Sequence, residues 1–141
     1  MSVLRDEQTV EEWRPGVLTR LHASAVLGAE RLCVFEQWSQ PGTGAPRHQH
    51  PADEEVILVL SGRGSLELDG SEEGLEAGDT VVLPPGVWHS ILNTGEDTLH
   101  TVAAFSSARP AVVYADDPKT TLEIGVASGS HRTPRTETPV R

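Results

Sequence analysis

Two histidines and a glutamate lie close together near the middle of this 141-residue sequence, and these residue types can bind a metal ion. His48 and His50 are two positions apart, so on a β-strand both imidazoles project from the same face. Glu55 follows after a short turn that can fold its carboxylate back toward that face, and Glu54 offers a competing carboxylate. Nitrogen and oxygen donors of this kind suit one divalent transition metal (Fe, Mn, Ni, Zn, Co or Cu). The set contains no thiolate, which argues against a closed structural zinc site.

A second segment supplies a further candidate ligand, His89. It follows the strand-like run Thr80–Leu83 and a tight turn that contains Pro84 and Gly86. The turn reverses the chain and would bring His89 across toward the first cluster. A cluster drawn from such strands could offer three or four protein ligands, with open positions for water or substrate.

The spacing of these residues resembles the two conserved motifs of the cupin superfamily. The first motif is filled by Gly42, His48, His50, Glu55 and Gly62, and the second by Gly78, Pro84, Gly86, His89 and Asn93. The resemblance implies a double-stranded β-helix (jelly-roll) barrel that holds one metal ion through His48, His50, Glu55 and His89. The six-residue step to Gly62 favours Glu55 over Glu54 as the carboxylate ligand.

The elements that must position these residues are predicted to be all-β. Short runs rich in Val, Ile, Leu and Thr alternate with Gly, Pro, Asn and Asp turns, which is typical of a sandwich or a closed barrel. The predicted strands are Val17–Leu21, Arg31–Ser39, Arg47–His50, Glu55–Ser61, Gly64–Leu68, Thr80–Leu83, His89–Asn93 and Leu99–Phe105. Only Asp6–Trp13 suggests a turn or two of helix.

The chain length fits one domain, which we divide into three parts. Residues 1–16 form an N-terminal arm, residues 17–115 the cupin barrel, and residues 116–141 a C-terminal segment that is extended or partly ordered. The tail Ser128–Arg141 lacks an apolar pattern and is expected to be extended or mobile. By analogy with small cupins the arm pairs with a second subunit, so we expect a homodimer in which Trp13 is an interface or core anchor.

Three residues near the predicted metal site are candidates for a proton-transfer or hydrogen-bonding role: Gln37, Glu36 and His100. Alternation puts Gln37 on one face of its strand with Cys33 and Phe35, and Glu36 on the other with Val34 and Trp38. The sequence does not decide which face looks toward the metal. His100 approaches the pocket only if its own face is internal; otherwise it is a hydrogen-bonded histidine at a strand end.

Several other residues have simpler interpretations. Alternation from His89 places Ile91 inward and Trp88 and Ser90 outward, and it directs Arg47 away from the metal. Cys33 is expected to be a small core residue. His22 and His131 have no partner pattern and are expected at the surface.

Composition narrows the partners and the compartment. Acidic residues outnumber basic ones by 21 to 11, and a net charge of −10 disfavours binding to nucleic acid or anionic membranes. A single cysteine excludes an intramolecular disulfide, the N-terminus does not resemble a secretory signal, and no apolar run approaches the ~18–20 residues of a membrane span. These features favour a cytoplasmic location.

The cupin resemblance does not specify a reaction, because one fold hosts many chemistries. We expect a metal-dependent enzyme whose small oxygenated substrate, such as a hydroxy acid, enol or phenol, chelates the metal. An oxygenase is slightly favoured over a redox-neutral isomerase, cyclase or lyase. A non-catalytic module that binds a small molecule is the alternative from a different class.

Overall fold

The computed structural model describes residues 2–5 and 10–124, so Ser128–Arg141 and His131 lie outside the described residues. Twelve β-strands account for most of the described part. The first six are β1 (Val10–Arg14), β2 (Val17–Ala23), β3 (Cys33–Ser39), β4 (Gly44–Gln49), β5 (Glu55–Ser61) and β6 (Arg63–Leu68). The others are β7 (Ser71–Glu76), β8 (Thr80–Leu83), β9 (His89–Asn93), β10 (Leu99–Phe105), β11 (Ala111–Tyr114) and β12 (Asp117–Glu123). A single 3₁₀ turn (Ala25–Leu27) is the one helical element among the described residues.

The strands form two antiparallel sheets of six strands each. Sheet A has the order β1-β2-β3-β10-β5-β8, and sheet B the order β12-β11-β4-β9-β6-β7. Apolar side chains of both sheets meet between them in one core, and along central strands such as β10 successive residues alternate between that core and the outside. This alternation decides which side chains can reach a site inside the molecule.

All eight predicted strands are present, with end shifts of up to three residues. The pattern missed four more, β1, β7, β11 and β12, and three of these are sheet edges. Edge strands carry charged residues on exposed positions, so they lack the apolar alternation that identifies a strand; in β7 only Leu75 is buried. The expectation of helix over Asp6–Trp13 is wrong from Val10 onward, because that part pairs with β2 as a strand.

The strands β1 and β12 lie outside residues 17–115 and pair with β2 and β11 respectively. The three-part division of the chain stays a prediction. Within the described residues, no helical segment has the length and hydrophobicity that a membrane span requires.

Gly62 of the first motif and the nearby Gly44 occupy positions where there is no room for a side chain. Gly62 turns the chain between β5 and β6 with φ of 91°, and a Cβ there would lie 2.4 Å from the Thr98 carbonyl oxygen. At Gly44, where β4 meets β9, a Cβ would lie 2.0 Å from the Ile91 carbonyl oxygen. The close approach of these strands fixes β9, and with it His89, against β4.

Candidate metal centre

The three motif histidines come together on the inner face of sheet B. His48 lies near the end of β4 and His50 directly after it, and His89, the first residue of β9, pairs with His48 across the two strands. All three are buried, and their ring nitrogens lie within 4.8 Å of one another. The pairing of β4 with β9 therefore supplies the third histidine of the cluster.

The hydrogen bonds of the three imidazoles fix which nitrogen faces the cluster. In each ring Nδ1 lies within hydrogen-bonding distance of a backbone carbonyl, at 2.6 Å from Pro46, 2.8 Å from Ala111 and 2.9 Å from Val87 for His48, His50 and His89 respectively. Because a carbonyl only accepts, Nδ1 carries the proton and Nε2 keeps its lone pair. Ring orientation by such a second partner is typical of histidines that bind metal through Nε2.

Glu55 joins this cluster from sheet A. Its carboxylate lies 3.2 Å from His50 Nε2 and 3.5 Å from His89 Nε2. His50 Nε2 and Glu55 Oε1 are fully buried and have no well-formed hydrogen bond in the described part of the chain. Buried polar atoms without partners are costly, and a bound cation would satisfy both of these. The donor set therefore fits a divalent transition metal held by the three histidines and Glu55.

The electrostatics of the cluster favour positive charge at this point. Burial opposes ionisation of Glu55, but its contacts with His50 and His89 outweigh burial and lower the pKa of the carboxyl below its usual value. Burial lowers the pKa of His50, but the Glu55 carboxylate more than offsets this and raises it overall. Burial and the neighbouring imidazoles lower the pKa of His48 well below its usual value, so this ring is a neutral donor.

A cavity of about 40 Å³ lies beside the cluster. Its wall is mostly apolar and aromatic, with Phe35 and Phe105 stacked on one side, and Gln37 and Thr101 add two polar groups from sheet A. The Gln37 amide makes only a long contact of 3.4 Å with the Thr19 hydroxyl. The cavity can therefore admit a small molecule and offer it a few polar contacts in addition to the metal.

The structure decides the orientation of the strand that carries Glu36 and Gln37. Cys33, Phe35, Gln37 and Ser39 face the interior, so Gln37 lines the cavity and Glu36 lies on the outer face. The carboxylate of Glu36 contacts His22 Nε2 at 2.7 Å and His100 Nε2 at 2.5 Å. These two contacts lower the pKa of Glu36, although its partial burial acts in the opposite direction.

Glu36 and His100 consequently do not reach the cavity, and the expectation that they act beside the metal does not agree with their positions. On β10 the inward residues are Leu99, Thr101, Ala103 and Phe105, which places His100 outside, stacked on Trp38 at a centroid distance of 5.1 Å. His100 is the hydrogen-bonded strand-end histidine, and His22, expected to have no partner, is half-exposed but paired with Glu36. Glu54 is exposed and turned away from the cluster.

Other expected positions agree with the structure. Cys33 is a fully buried core residue, and burial raises the pKa of its thiol to about 12. Arg47 points away from the cluster, pairs with Glu67 at 3.0 Å and lies over the half-buried Trp88 ring. Ile91 lines the cavity as alternation predicted.

Two aromatic residues, Trp13 and Tyr114, line the cavity, and the sequence did not predict this position for either. Trp13 is a buried core residue, as expected of an anchor, but it also lines the cavity, and its ring lies 6.2 Å from that of Tyr114 on β11. Tyr114 lies 5.6 Å from the His48 ring. The only available signal was the short apolar run Ala111–Tyr114, which is too short to be distinguished from a loop.

Two antiparallel sheets packed around an inward cluster of three histidines and one glutamate define a small double-stranded β-helix protein with a candidate metal site. The cupin domain family matches residues 36–105. A solved RmlC-like cupin from Shewanella frigidimarina has the same fold, with a TM-score of 0.64 and 21% identity over 75% of this chain and 89% of that chain. The chain is a member of the cupin superfamily.

Curated relatives share part of this sequence. Oxalate oxidase 1 of Hordeum vulgare is 30% identical over 82 residues, which are 52% of this chain and 41% of the relative. The polyketide synthase CurC of Streptomyces cyaneus is 29% identical over 94 residues, 67% of this chain and 58% of the relative. The chain thus spans less than two thirds of the length of either relative.

Proposed function

We propose that the protein is a metal-dependent enzyme that oxygenates a small oxygenated molecule, which chelates a divalent transition metal held by His48, His50, Glu55 and His89. The observation that carries this proposal is the orientation of the three imidazoles. Each Nδ1–H is committed to a backbone carbonyl, which leaves three Nε2 lone pairs beside the buried Glu55 carboxylate. Such a nitrogen and oxygen set leaves coordination positions open for a ligand.

The cavity supports a small substrate that is partly apolar. Gln37 and Thr101 stand on the wall opposite sheet B and can donate or accept hydrogen bonds, so they would orient the substrate beside the cluster. The apolar remainder excludes bulk water. Neither residue is bound to the histidines, so both are available to the substrate.

The nature of the donors and one relative favour iron or manganese and an oxygenation. A metal bound there would supply Lewis acidity or activation of dioxygen, and the absence of thiolate donors in the set fits both metals. The similarity to oxalate oxidase 1, whose name denotes an oxidation, favours an oxidative reaction over a redox-neutral one. The similarity to the polyketide synthase CurC favours the second candidate, a redox-neutral cyclase, isomerase or lyase on the same site.

The test is oxygen uptake by the Fe(II)-loaded protein with a panel of hydroxy acids, enols and phenols. We expect uptake coupled to product formation, and none from His48→Ala protein treated in the same way. Turnover under nitrogen without oxygen uptake would contradict the oxygenase and support the redox-neutral candidate. Stabilisation by a panel compound without turnover in either atmosphere would instead identify a non-catalytic binding module.

We also infer that the protein forms a homodimer through the outer face of sheet A. Leu18, Leu58, Leu60 and Val82 are exposed on this face. Val102 of β10 is paired with Leu58, so it extends this apolar patch onto the neighbouring strand. Several exposed apolar side chains on one face of a sheet are typical of a protein contact. Light scattering should give twice the 15.2 kDa chain mass, and Leu58→Lys, but not the control Leu92→Lys at an exposed position of sheet B, should give the monomer.

A cytoplasmic location is part of the same proposal. Cys33 is the only cysteine of the sequence and is buried with a raised pKa, so the fold neither uses nor needs an oxidising compartment. Fractionation of cells of the source organism would test this directly: recovery from a membrane or secreted fraction would contradict it.

A further inference from the structure

A surface groove lies beside the cavity on the outer side of β4 and β9. It has a volume of about 510 Å³ and shares Ala45 and Ile91 with the cavity wall. The pairing of β4 with β9 is interrupted next to these residues, because the register shifts between Ala45 and His48. Ala45 and Ile91 thus stand between the groove and the metal cavity, at a point where the strand pairing is irregular.

Two arginines line this groove, Arg14 and Arg47. Arg47 is already neutralised by Glu67 at 3.0 Å. The Arg14 guanidinium contacts the Tyr114 hydroxyl, but no carboxylate pairs with it in the described part of the chain, and its Nε is buried there without a hydrogen-bond acceptor. In a protein with a net charge of −10, a partly buried cation without an anion is exceptional. The position of Arg14 in the groove suggests that an anionic ligand pairs with its guanidinium.

Arg14 lies on the groove side of this wall and contacts two aromatic rings that line the cavity. Its guanidinium carbon lies 4.6 Å from the centre of the Trp13 ring and 5.6 Å from that of Tyr114, and both rings line the cavity. Contacts with two aromatic rings therefore restrict the position of the guanidinium. A fixed guanidinium loses little entropy when it binds an anion, and its planar fork matches a carboxylate.

We propose that Arg14 is a specificity-determining residue that binds the carboxylate of an anionic substrate at the mouth of the metal cavity. This inference rests on the proposed function and narrows its substrate class to small hydroxy or oxo acids. One end of such an acid would pair with Arg14 while its other oxygen atoms face the histidine cluster.

The test compares charged and neutral probes of one size on protein loaded with Mn(II). Glycolate, glycolamide and inorganic phosphate are titrated by calorimetry into wild type, Arg14→Gln, Arg14→Lys and the control Arg63→Gln, which removes the same charge from an exposed site on β6. Wild type should bind glycolate at least about ten-fold more tightly than glycolamide. Arg14→Gln should abolish that difference, Arg14→Lys should keep part of it, and Arg63→Gln should keep all of it.

Several results would overturn the inference. These are equal binding or no binding of glycolate and glycolamide by wild type, unchanged glycolate binding in Arg14→Gln, equal weakening of both probes in that variant, or tighter binding of phosphate than of glycolate. Should Arg14→Gln not fold, Arg14→Lys decides the matter, because it keeps the charge but not the planar fork. Metal content is measured in every sample, so a chain that binds no Mn(II) refutes the proposed function, whereas a loaded chain indifferent to Arg14 refutes only this inference.

Discussion

Asn93, the last residue of the second cupin motif, is predicted to stabilise the fold without binding the metal. Its side chain is buried and makes three hydrogen bonds of 2.8 Å: Nδ2 donates to the carbonyls of Ser39 and Asp97, and Oδ1 accepts from the Gly95 amide. Together they fasten the turn between β9 and β10 to the end of β3. Asn93→Ala removes all three bonds and leaves buried backbone groups without partners.

The expected loss is about 3 kcal/mol of unfolding free energy, at about 1 kcal/mol for each hydrogen bond. For a domain of this size such a loss lowers the Tm by about 10 °C. Urea denaturation of the metal-free protein measures the free energy, and calorimetry measures the Tm. The control is the exposed neighbour Thr94→Ala, which should remain within about 0.5 kcal/mol of wild type.

Folded Asn93→Ala protein should still bind metal in the wild-type ratio, because Asn93 lies four residues beyond His89 and does not line the cavity. A loss of less than about 1 kcal/mol would refute the hydrogen-bond reasoning. Loss of metal with an unchanged Tm would refute the division between the residues that bind and those that support the site.

Three further outcomes are expected. Glu55→Gln should weaken Mn(II) or Zn(II) binding by at least about 100-fold, since even partners of metal ligands affect affinity ten- to 100-fold, whereas Glu54→Gln should leave it unchanged; titration against a competing chelator decides this. Gly62→Ala should destabilise the protein by more than about 2 kcal/mol in urea, because a Cβ there would overlap the Thr98 carbonyl at a positive φ that alanine avoids. The pKa of Glu36 is lowered in the folded state, so its contribution to stability is present above its ordinary value of 4.5 and is lost as pH falls through the folded pKa. In a plot of unfolding free energy against pH, a Glu36→Gln variant should therefore show a smaller decrease at acid pH than wild type. An unchanged decrease would contradict this.

The metal cluster was predictable because its signals are local. His48 and His50 share a strand face by their spacing, and the Pro84–Gly86 turn limits where His89 can go. Their convergence, however, depends on the pairing of β4 with β9, which is a tertiary contact. The cupin motif supplied that information, since spacing alone leaves the strand partners open.

The cavity wall was harder to predict for a physical reason. Alternation groups Glu36 with Trp38 and Gln37 with Phe35, but only packing against the other sheet decides which group is inside. Glu36 and His100 contact each other on the outer face of sheet A, which two separate sequence positions do not reveal. Arg14 could not be recognised either, because β1 is a charged edge strand and its aromatic partner Tyr114 lies on another unpredicted strand.

The most direct test of the metal centre is elemental analysis of protein purified without chelators or an affinity tag, repeated after reconstitution with Fe(II) and Mn(II). We expect one transition-metal ion per wild-type chain, and none in folded His48→Ala or His89→Ala protein. Absence of bound metal from reconstituted wild type, or full occupancy in both variants, would contradict the assignment of the four ligands.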